Sequence, residues 1–487
     1  MNLMWFRRDL RLHDNPALYA AMQADTTIAV YFLTMEQWAI HAVAPVQQDL
    51  FLRQLQSLAK DLNQLGVPLI ILDAKTFSAV PNMMFDFVNK HDIKHIYFNH
   101  EYEWNESQLT QLTCAKLAAH NSKVYGFHDQ CLIAPGEIQN KQGSFYKVFT
   151  AFKNEYLSQL HDKSRPLYPM PAKQTACDIS ADVHLLDSIK QGSVTQDDDE
   201  NKQQWQSLWP ASEEHALGLL DAFIHERIFD YKALRDIPSA NGTSSLSPYL
   251  AIGAISVRQC FQAAMSTPKG LDNEGVHTWV VELIWRDFYR HLIVAYPEVC
   301  RFKPFKENTD QLPWKQDKKL FDAWCQGRTG YPLVDAAMRQ LLATGWMHNR
   351  LRMVAAMFLT KHLFIDWRLG EQFFMQHLVD GDMASNNGGW QWSASTGVDA
   401  VPYFRIFNPT RQSQRFDESG AFIRKYVPEL ASLDNKSIHQ PNGQQIKQCG
   451  YVAPIVDHKN AVAETKAYFK QLSDPASLAI TKEHGLS

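Results

Sequence analysis

Leu3-Met4-Trp5-Phe6-Arg7-Arg8-Asp9-Leu10-Arg11-Leu12-His13-Asp14-Asn15 opens as a short apolar β-type run and then turns abruptly to charge. Four more such runs follow, Ile28 to Phe32, Pro68 to Leu72, Ile93 to Phe98 and Lys123 to Phe127, with helical patterns between them. Strands that alternate with helices predict a parallel α/β sheet, doubly wound and Rossmann-like. The helix between the second and third runs carries Leu50, Phe51, Leu55, Leu58, Leu62 and Leu65 at near-helical spacing, and Gly66 supplies its stop. An NAD-binding version of this layout places G-x-G-x-x-G directly after the first strand, where this chain has Arg7-Arg8-Asp9. The layout therefore stands, while conventional NAD binding is excluded.

Outward from residues 1–130 the rhythm changes. Between His161 and Glu214 the pattern dissolves into Pro166, Pro169 and Pro171, then Gly192-Ser193, then the acidic run Asp197 to Glu200. Residues 131–215 are read as an interdomain connection that wraps the surface and contains short helices. From Ala216 onward helical periodicity runs through Leu283, Phe321, Leu333, Leu351 and Phe373, so residues 216–487 are expected to form a larger all-α domain.

Composition bounds the function. With 487 residues, 45% hydrophobic and 21% charged, the chain is globular and large enough for several domains. A formal charge of −4 gives no global basic field, so any polyanion partner must find a local patch. The seven cysteines are scattered without a C-x-x-C spacing, which indicates neither a disulfide framework nor a zinc site and fits a reducing cytosol. Arg7, Arg8 and Asp9 leave no room for a signal peptide's apolar region, and no stretch approaches the roughly 18 apolar residues of a membrane span. The expectation is a cytoplasmic chain with no membrane segment and no metal.

Four segments of the helical half carry chemistry. Eight of the 13 tryptophans lie beyond residue 270; a single one is core packing, but Asp380-Gly381-Asp382-Met383-Ala384-Ser385-Asn386-Asn387-Gly388-Gly389-Trp390-Gln391-Trp392 mixes carboxylates, amides, paired glycines and indoles. That mixture is a poor recipe for a plain helix or a plain core and suits a backbone lying close to a planar polar ligand. Glu282, Arg286 and Arg290 share one helical face, which reads either as a functional stripe or as a solvated ion-pair stripe. Gly345-Trp346-Met347-His348-Asn349-Arg350-Leu351-Arg352-Met353 holds two Arg and a His without a carboxylate, pointing to an anionic partner or to acids elsewhere in the fold. Gly242-Thr243-Ser244-Ser245-Leu246-Ser247 is a hydroxyl-rich turn before a helix, able to donate to phosphate.

Together with Trp5 to Leu12 and Thr329-Gly330-Tyr331-Pro332-Leu333-Val334-Asp335-Ala336-Ala337-Met338-Arg339, the strings Gly345 to Met353 and Gly381 to Trp392 resemble the signatures of the photolyase/cryptochrome family, in order over about residues 1 to 430. The resemblance implies an antenna-binding α/β domain and a helical domain that holds FAD, active in its reduced form. On that pattern the FAD-binding residues are Tyr231, Thr243, Ser244, Ser245, Leu246, Ser247, Trp279, Arg286, Asn349, Arg352, Asp380, Asp382 and Asn386. Asn386 matches the position beside the flavin nitrogen that gains a proton on reduction, where many plant cryptochromes carry Asp and animal ones Cys. Its amide is the repair-type choice.

The same resemblance implies that Trp285 and Trp392 pack against a cyclobutane pyrimidine dimer, that Met353 touches it, and that Glu282 and Asn349 contact its base edges, Glu282 with a catalytic proton-transfer or hydrogen-bond role toward the dimer radical anion. It is closest to bacterial class I dimer photolyases. Photolyases of the (6-4) class carry a pair of active-site His, and Met353 occupies a place where one is expected. Trp390, Trp367 and Trp314 match an electron relay, and Arg235, Arg350, Arg405 and Gln412 match contacts to the DNA backbone. Val401 to Arg415 carries three Arg and no acid, a local basic patch. Asn105 and Glu106 match folate-type antenna contacts, with Arg301 where Lys is expected, so methenyltetrahydrofolate is favoured over a deazaflavin, and another flavin or an empty pocket stays open. Ser245 stands where the bacterial group often has Arg. The implied protein is a monomeric carbon–carbon lyase acting on dimer-containing DNA, with no obligate protein partner. The alternatives are a (6-4) photolyase or a blue-light photoreceptor, which would usually add a long tail where this chain has 59 residues after Pro428.

Overall fold

Five strands form where the apolar runs place them: β1 (Asn2–Phe6), β2 (Thr27–Leu33), β3 (Leu69–Asp73), β4 (His95–Asn99) and β5 (Lys123–Phe127). The structure is a computed structural model that describes residues 1–118, 122–162, 166–186, 188 and 196–472. All neighbours in the sheet are parallel, in the order β3-β2-β1-β4-β5, the doubly wound arrangement expected. Every residue of β1 and β2 is buried, as strands covered on both faces must be. The intervening helices are α1 (Pro16–Ala24), α2 (Met35–Ile40), α3 (Pro45–Gln64), α4 (Val80–Lys90) and α5 (Trp104–Ala118). Leu50, Phe51, Leu55, Leu58 and Leu62 are the buried stripe of α3, which stops just before Gly66.

The chain packs as two compact units. The first joins Met1–Lys232, Thr243–Pro297 and Val379–Ala384, and the second joins Ala233–Gly242, Glu298–Leu378 and Ser385–Ser487. Among the described residues no strand follows Ala216, so the later part of the chain is helical as its periodicity predicts. The connection read between residues 131 and 215 is more than a surface wrap. It contains α6 (Phe149–Asp162), whose Phe152, Tyr156 and Leu160 are buried, and a further helix over Gln196–Leu208. Near its middle, Gln174 brackets Thr27 with two hydrogen bonds of 2.8 and 2.9 Å, and Asp182 bridges the outer edge of β3. Gly192-Ser193 lies outside the described residues.

A neutral set of four buried charges ties the loops after β1 and β5 to the helix Val257–Met265 of the same unit. Arg11 Nη2 donates to Asp129 Oδ1 at 2.5 Å, and Arg258 Nη2 to the same oxygen at 2.7 Å. Arg258 Nε also donates to Asp14 Oδ1 at 3.1 Å, whose other carboxylate oxygen accepts from Ser256 Oγ. The backbones there are so close that a Cβ on Gly253, itself at φ +73, would overlap Arg8 O, so glycine is required at this turn. Arg258→Leu would leave Asp14 buried without its cation and Asp129 with Arg11 alone, and unfolding in denaturant should show a loss of about 3–5 kcal/mol. A loss within experimental error would mean that the network contributes no stability.

Candidate active site

In the first unit the helix Glu274–Ala295, capped by Asn273, carries Trp279, Glu282, Trp285 and Arg286. Trp279 is buried and packs 5.0 Å from Phe223, whose ring meets Tyr231 edge-on at 5.8 Å. The stripe Glu282-Arg286-Arg290 is not a solvated ion-pair ladder. Arg286 Nη1 donates to Gln130 O and to Asp287 Oδ1 rather than to Glu282, and Arg290, 3% exposed, is paired with Asp382. Asp287 is fully buried and accepts from Leu132 N at 2.8 Å and from the Tyr156 hydroxyl, which fastens the helix to α6. The guanidinium of Arg286 uses Nη1 alone. Its Nε and Nη2 have no hydrogen-bond partner among the described residues, although burial pushes its pKa down.

The hydroxyl turn precedes a helix over Ser247–Ile252, as expected. Ser245 sits at φ +56, in the left-handed region, and Thr243 O accepts from Arg227 Nη1 at 3.2 Å. The Leu246 side chain is core, so only its backbone can reach a ligand. Asp380 and Asp382 are both buried in this unit.

Beyond the strand ends, where β1 and β4 diverge, Arg8 pairs with Glu101 at 2.8 Å and Glu103 at 2.6 Å, and Arg7 lies 4.1 Å over Trp5. The crevice that takes dinucleotides in a Rossmann fold is thus packed with the chain's own ions. Asn105 is exposed and its Nδ2 lies 2.9 Å from His41 Nε2, while Glu106 Oε1 is 3.5 Å from His41 Nδ1. Burial and the neighbouring Glu103 push the Glu106 carboxyl up to about 8. His41 therefore links Asn105 and Glu106, two of the three antenna candidates. Arg301 belongs to the second unit and pairs with Glu298 at 3.2 Å.

The second unit overturns the expectation that Asp380 to Trp392 avoids a plain helix. Met383–Ala394 is helical, because amide side chains supply tertiary bonds that outweigh weak propensity. Asn386 Nδ2 donates to Glu371 O at 3.0 Å, Asn387 Nδ2 to Glu371 Oε1 at 2.8 Å, and Gln391 Nε2 to Asn387 Oδ1 at 2.9 Å. Gly389 has nothing within 4 Å of where a Cβ would stand. A Cβ on Gly370 would overlap the Trp390 ring, so glycine there lets the indole seat.

Trp390, Trp367 and Trp314 all join one apolar cluster, but none of the three is in ring contact with another. Trp390 meets Trp324 at 6.0 Å and Phe374 at 4.9 Å, and Trp314 meets Phe364 at 4.8 Å. Trp392 is half-buried. In the helix Asn349–Lys361, Asn349 is exposed, Arg352 Nε donates to Met347 O, and Arg350 Nη1 approaches Met353 Sδ at 3.8 Å. Arg350 also has a carboxylate after all, Asp236 at 2.9 Å, with Arg235 3.9 Å away on the same acid. Burial lowers His348 to about 4, so it is a neutral cap. Arg405, Arg411 and Arg415 are exposed, and Gln412 is half-buried with them.

Each unit by itself holds groups whose chemistry suits FAD. In the first, Arg286 keeps unused donors and the 243–247 turn is rich in hydroxyls; in the second, Asn386 keeps a carbonyl acceptor and Gly389 of the same helix has open space about it. Residues 2–172 match the family model for DNA photolyase, and residues 279–471 match that for the FAD binding domain of DNA photolyase. The deoxyribodipyrimidine photo-lyase of Vibrio cholerae is 43% identical over 483 residues, covering 96% of this chain and 99% of that one. This chain belongs to the DNA photolyase family. Among solved structures, a bacterial class III photolyase from Agrobacterium tumefaciens is 33% identical with a TM-score of 0.86, covering 97% of each chain. An archaeal photolyase from Sulfolobus tokodaii, described with two FAD molecules and a novel light-harvesting cofactor, is 30% identical with a TM-score of 0.81, covering 96% of this chain and all of that one. No described helix is long and apolar enough to cross a membrane.

Sequence reading missed Glu371, which anchors both amides. Burial lifts its carboxyl from 4.5 to about 7. Folding then takes up a proton, so stability is greatest at low pH and declines as pH rises from about 4.5 through 7. Glu371→Gln keeps the acceptor for Asn387 and removes this decline. Denaturation at pH 5 and pH 8 should show wild type losing up to about 3 kcal/mol relative to the variant; parallel pH profiles would exclude the buried proton.

Proposed function

We propose that this chain repairs DNA in light, splitting cyclobutane pyrimidine dimers as a carbon–carbon lyase. The observation that carries this reading is the near full-length similarity to deoxyribodipyrimidine photo-lyases. FAD is held by Tyr231, Thr243 to Ser247, Trp279, Arg286, Asn349, Arg352, Asp380, Asp382 and Asn386. When bound and reduced, it supplies the photoexcited electron that opens the cyclobutane ring. The functional domains are residues 1–130 for the antenna, 131–215 as connection and 216–487 for catalysis.

The chain's own residues position and protect. Asn386, with its Nδ2 committed to Glu371, offers a ligand N–H an acceptor and brings no carboxylate proton to the site. Trp285, Trp392 and Met353 provide the apolar walls for a dimer flipped out of the duplex, an unstacking that costs a few kcal/mol and less for a distorted lesion. Glu282 and Asn349 read its base edges. Arg235, Arg350, Arg405 and Gln412 bind the backbone, and the exposed Arg405, Arg411 and Arg415 make that binding salt-sensitive despite the acidic whole-chain charge. The pairing of Arg350 with Asp236 orients its guanidinium before DNA arrives. Trp390, Trp367 and Trp314 carry electrons inward from the surface. A folate antenna at Asn105, Glu106 and Arg301 is favoured over a deazaflavin, supported by the His41 link and by the ion-filled crevice at the strand ends.

The test irradiates reduced protein with duplex DNA carrying one cyclobutane dimer. Light-dependent loss of the lesion, absent in the dark, is the expected result; no loss with reduced flavin bound would favour the photoreceptor reading. Trp314→Phe should block photoreduction of the oxidised cofactor, followed by absorbance, while chemically reduced variant still repairs. Persistence of photoreduction would remove Trp314 from the relay.

A further inference from the structure

Trp285 is not an isolated indole. Phe149, the first residue of α6, lies on it face to face, with ring centroids 3.4 Å apart and planes 9° from parallel. Aromatic pairs left to themselves prefer offset or edge-on arrangements, because superposed quadrupoles repel. The surrounding packing therefore enforces this sandwich. Phe288 supplies the brace, meeting Phe149 at 5.5 Å and 70° and Trp285 at 5.7 Å and 79°. Phe288 is itself held 5.0 Å from Phe152 one turn along α6, and Asp287 ties the same two helices through Tyr156. Phe149 is buried, whereas Trp285 is only half-buried. No second ring stacks on Trp285 among the described residues; Tyr289, at 5.7 Å, is tilted by 33°.

We propose that Phe149 is a positioning residue for lesion recognition: it closes one face of Trp285 and holds the indole in the orientation in which its other face receives the everted pyrimidine dimer. The proposal rests on the assignment of Trp285 to the lesion. An indole sandwiched on one side cannot swing about its side-chain bonds, so its ordering cost is met on folding rather than on binding DNA. A segment that reads as interdomain connection thereby contributes to substrate selection.

The experiment compares dark binding, by mobility shift, of flavin-loaded full-length protein to a duplex with one cyclobutane thymine dimer and to the same duplex undamaged. Phe149→Leu should weaken dimer binding about three- to ten-fold, the value of an aromatic stack, and leave undamaged DNA within about two-fold. In repair assays the loss should appear in the dimer concentration for half-maximal rate, not in the yield at saturation. Phe149→Tyr, which restores a ring, should return dimer binding to within about two-fold of wild type. Phe149→Met replaces the Leu variant if the latter does not keep the wild-type melting temperature and flavin content. Unchanged dimer binding, or equal weakening on both duplexes, overturns the proposal. Trp285→Ala separates the two layers: if it too leaves lesion discrimination intact, the assignment of Trp285 fails and the inference with it. Lost discrimination in Trp285→Ala beside intact discrimination in Phe149→Leu defeats the inference alone.

Discussion

Two arginines and two aspartates, all but removed from water, govern how the first unit is assembled. Arg11 and Asp14 lie in the charged string after β1, Asp129 follows β5, and Arg258 stands on the helix Val257–Met265, which packs against the helix bearing Trp279, Glu282, Trp285 and Arg286. Desolvating four charges is costly, and the compensation depends on geometry that only one arrangement of these segments provides. The set is neutral, and its shared acceptor, Asp129 Oδ1, is reached by both cations at once. Such a network tolerates little displacement. A shift of Val257–Met265 would leave a buried ion unpaired, so the strand-end loops and this helix, the neighbour of the site helix, are fixed to each other within this unit.

The same logic recurs with amides in the second unit. Met383–Ala394 contains Asn386, Asn387, Gly388 and Gly389, residues that weaken an isolated helix. Its stability comes instead from Glu371, whose carboxyl burial lifts to about 7, and from the chain of bonds through Asn387 to Gln391, whose Oε1 accepts from Phe305 N at 2.8 Å. The helix can therefore carry functional amides and bare glycines where a propensity-built helix would need Ala or Leu. Asn386 is positioned by the backbone carbonyl of Glu371, a group that cannot be altered by side-chain substitution.

This contrast explains what could be read from the sequence. The five strands and α3 were legible because their signals are local: apolar runs of strand length, and leucines at helical spacing ending at Gly66. The tryptophans and mixed segments were legible as chemistry but not as geometry. Nothing local reveals that Asp382 neutralises Arg290 or that Asp236 serves Arg350 across 114 positions of sequence. His41 looked ordinary because its partners Asn105 and Glu106 lie more than 60 residues away. Phe149 was hidden for a similar reason: a phenylalanine beginning a helix in a Pro- and Gly-punctuated connection carries no mark of the indole it will face.

The missing glycine fingerprint acquires a structural meaning in this setting. In a doubly wound sheet the crevice where β1 and β4 part is the default place for a nucleotide, provided the backbone after β1 can approach a pyrophosphate. Here Arg7, Arg8, Glu101 and Glu103 occupy that place, with Arg7 lying on the Trp5 ring. The backbone N–H groups of Arg7 and Arg8 are themselves spent on the carboxylates of Asp9 and Glu101. The unused nitrogens of Arg286 and the hydroxyl-rich turn over residues 243–247 belong to later parts of the chain. The doubly wound layout thus has its usual nucleotide position occupied by ion pairs, and the residues matched by the FAD-binding family model begin only at Trp279.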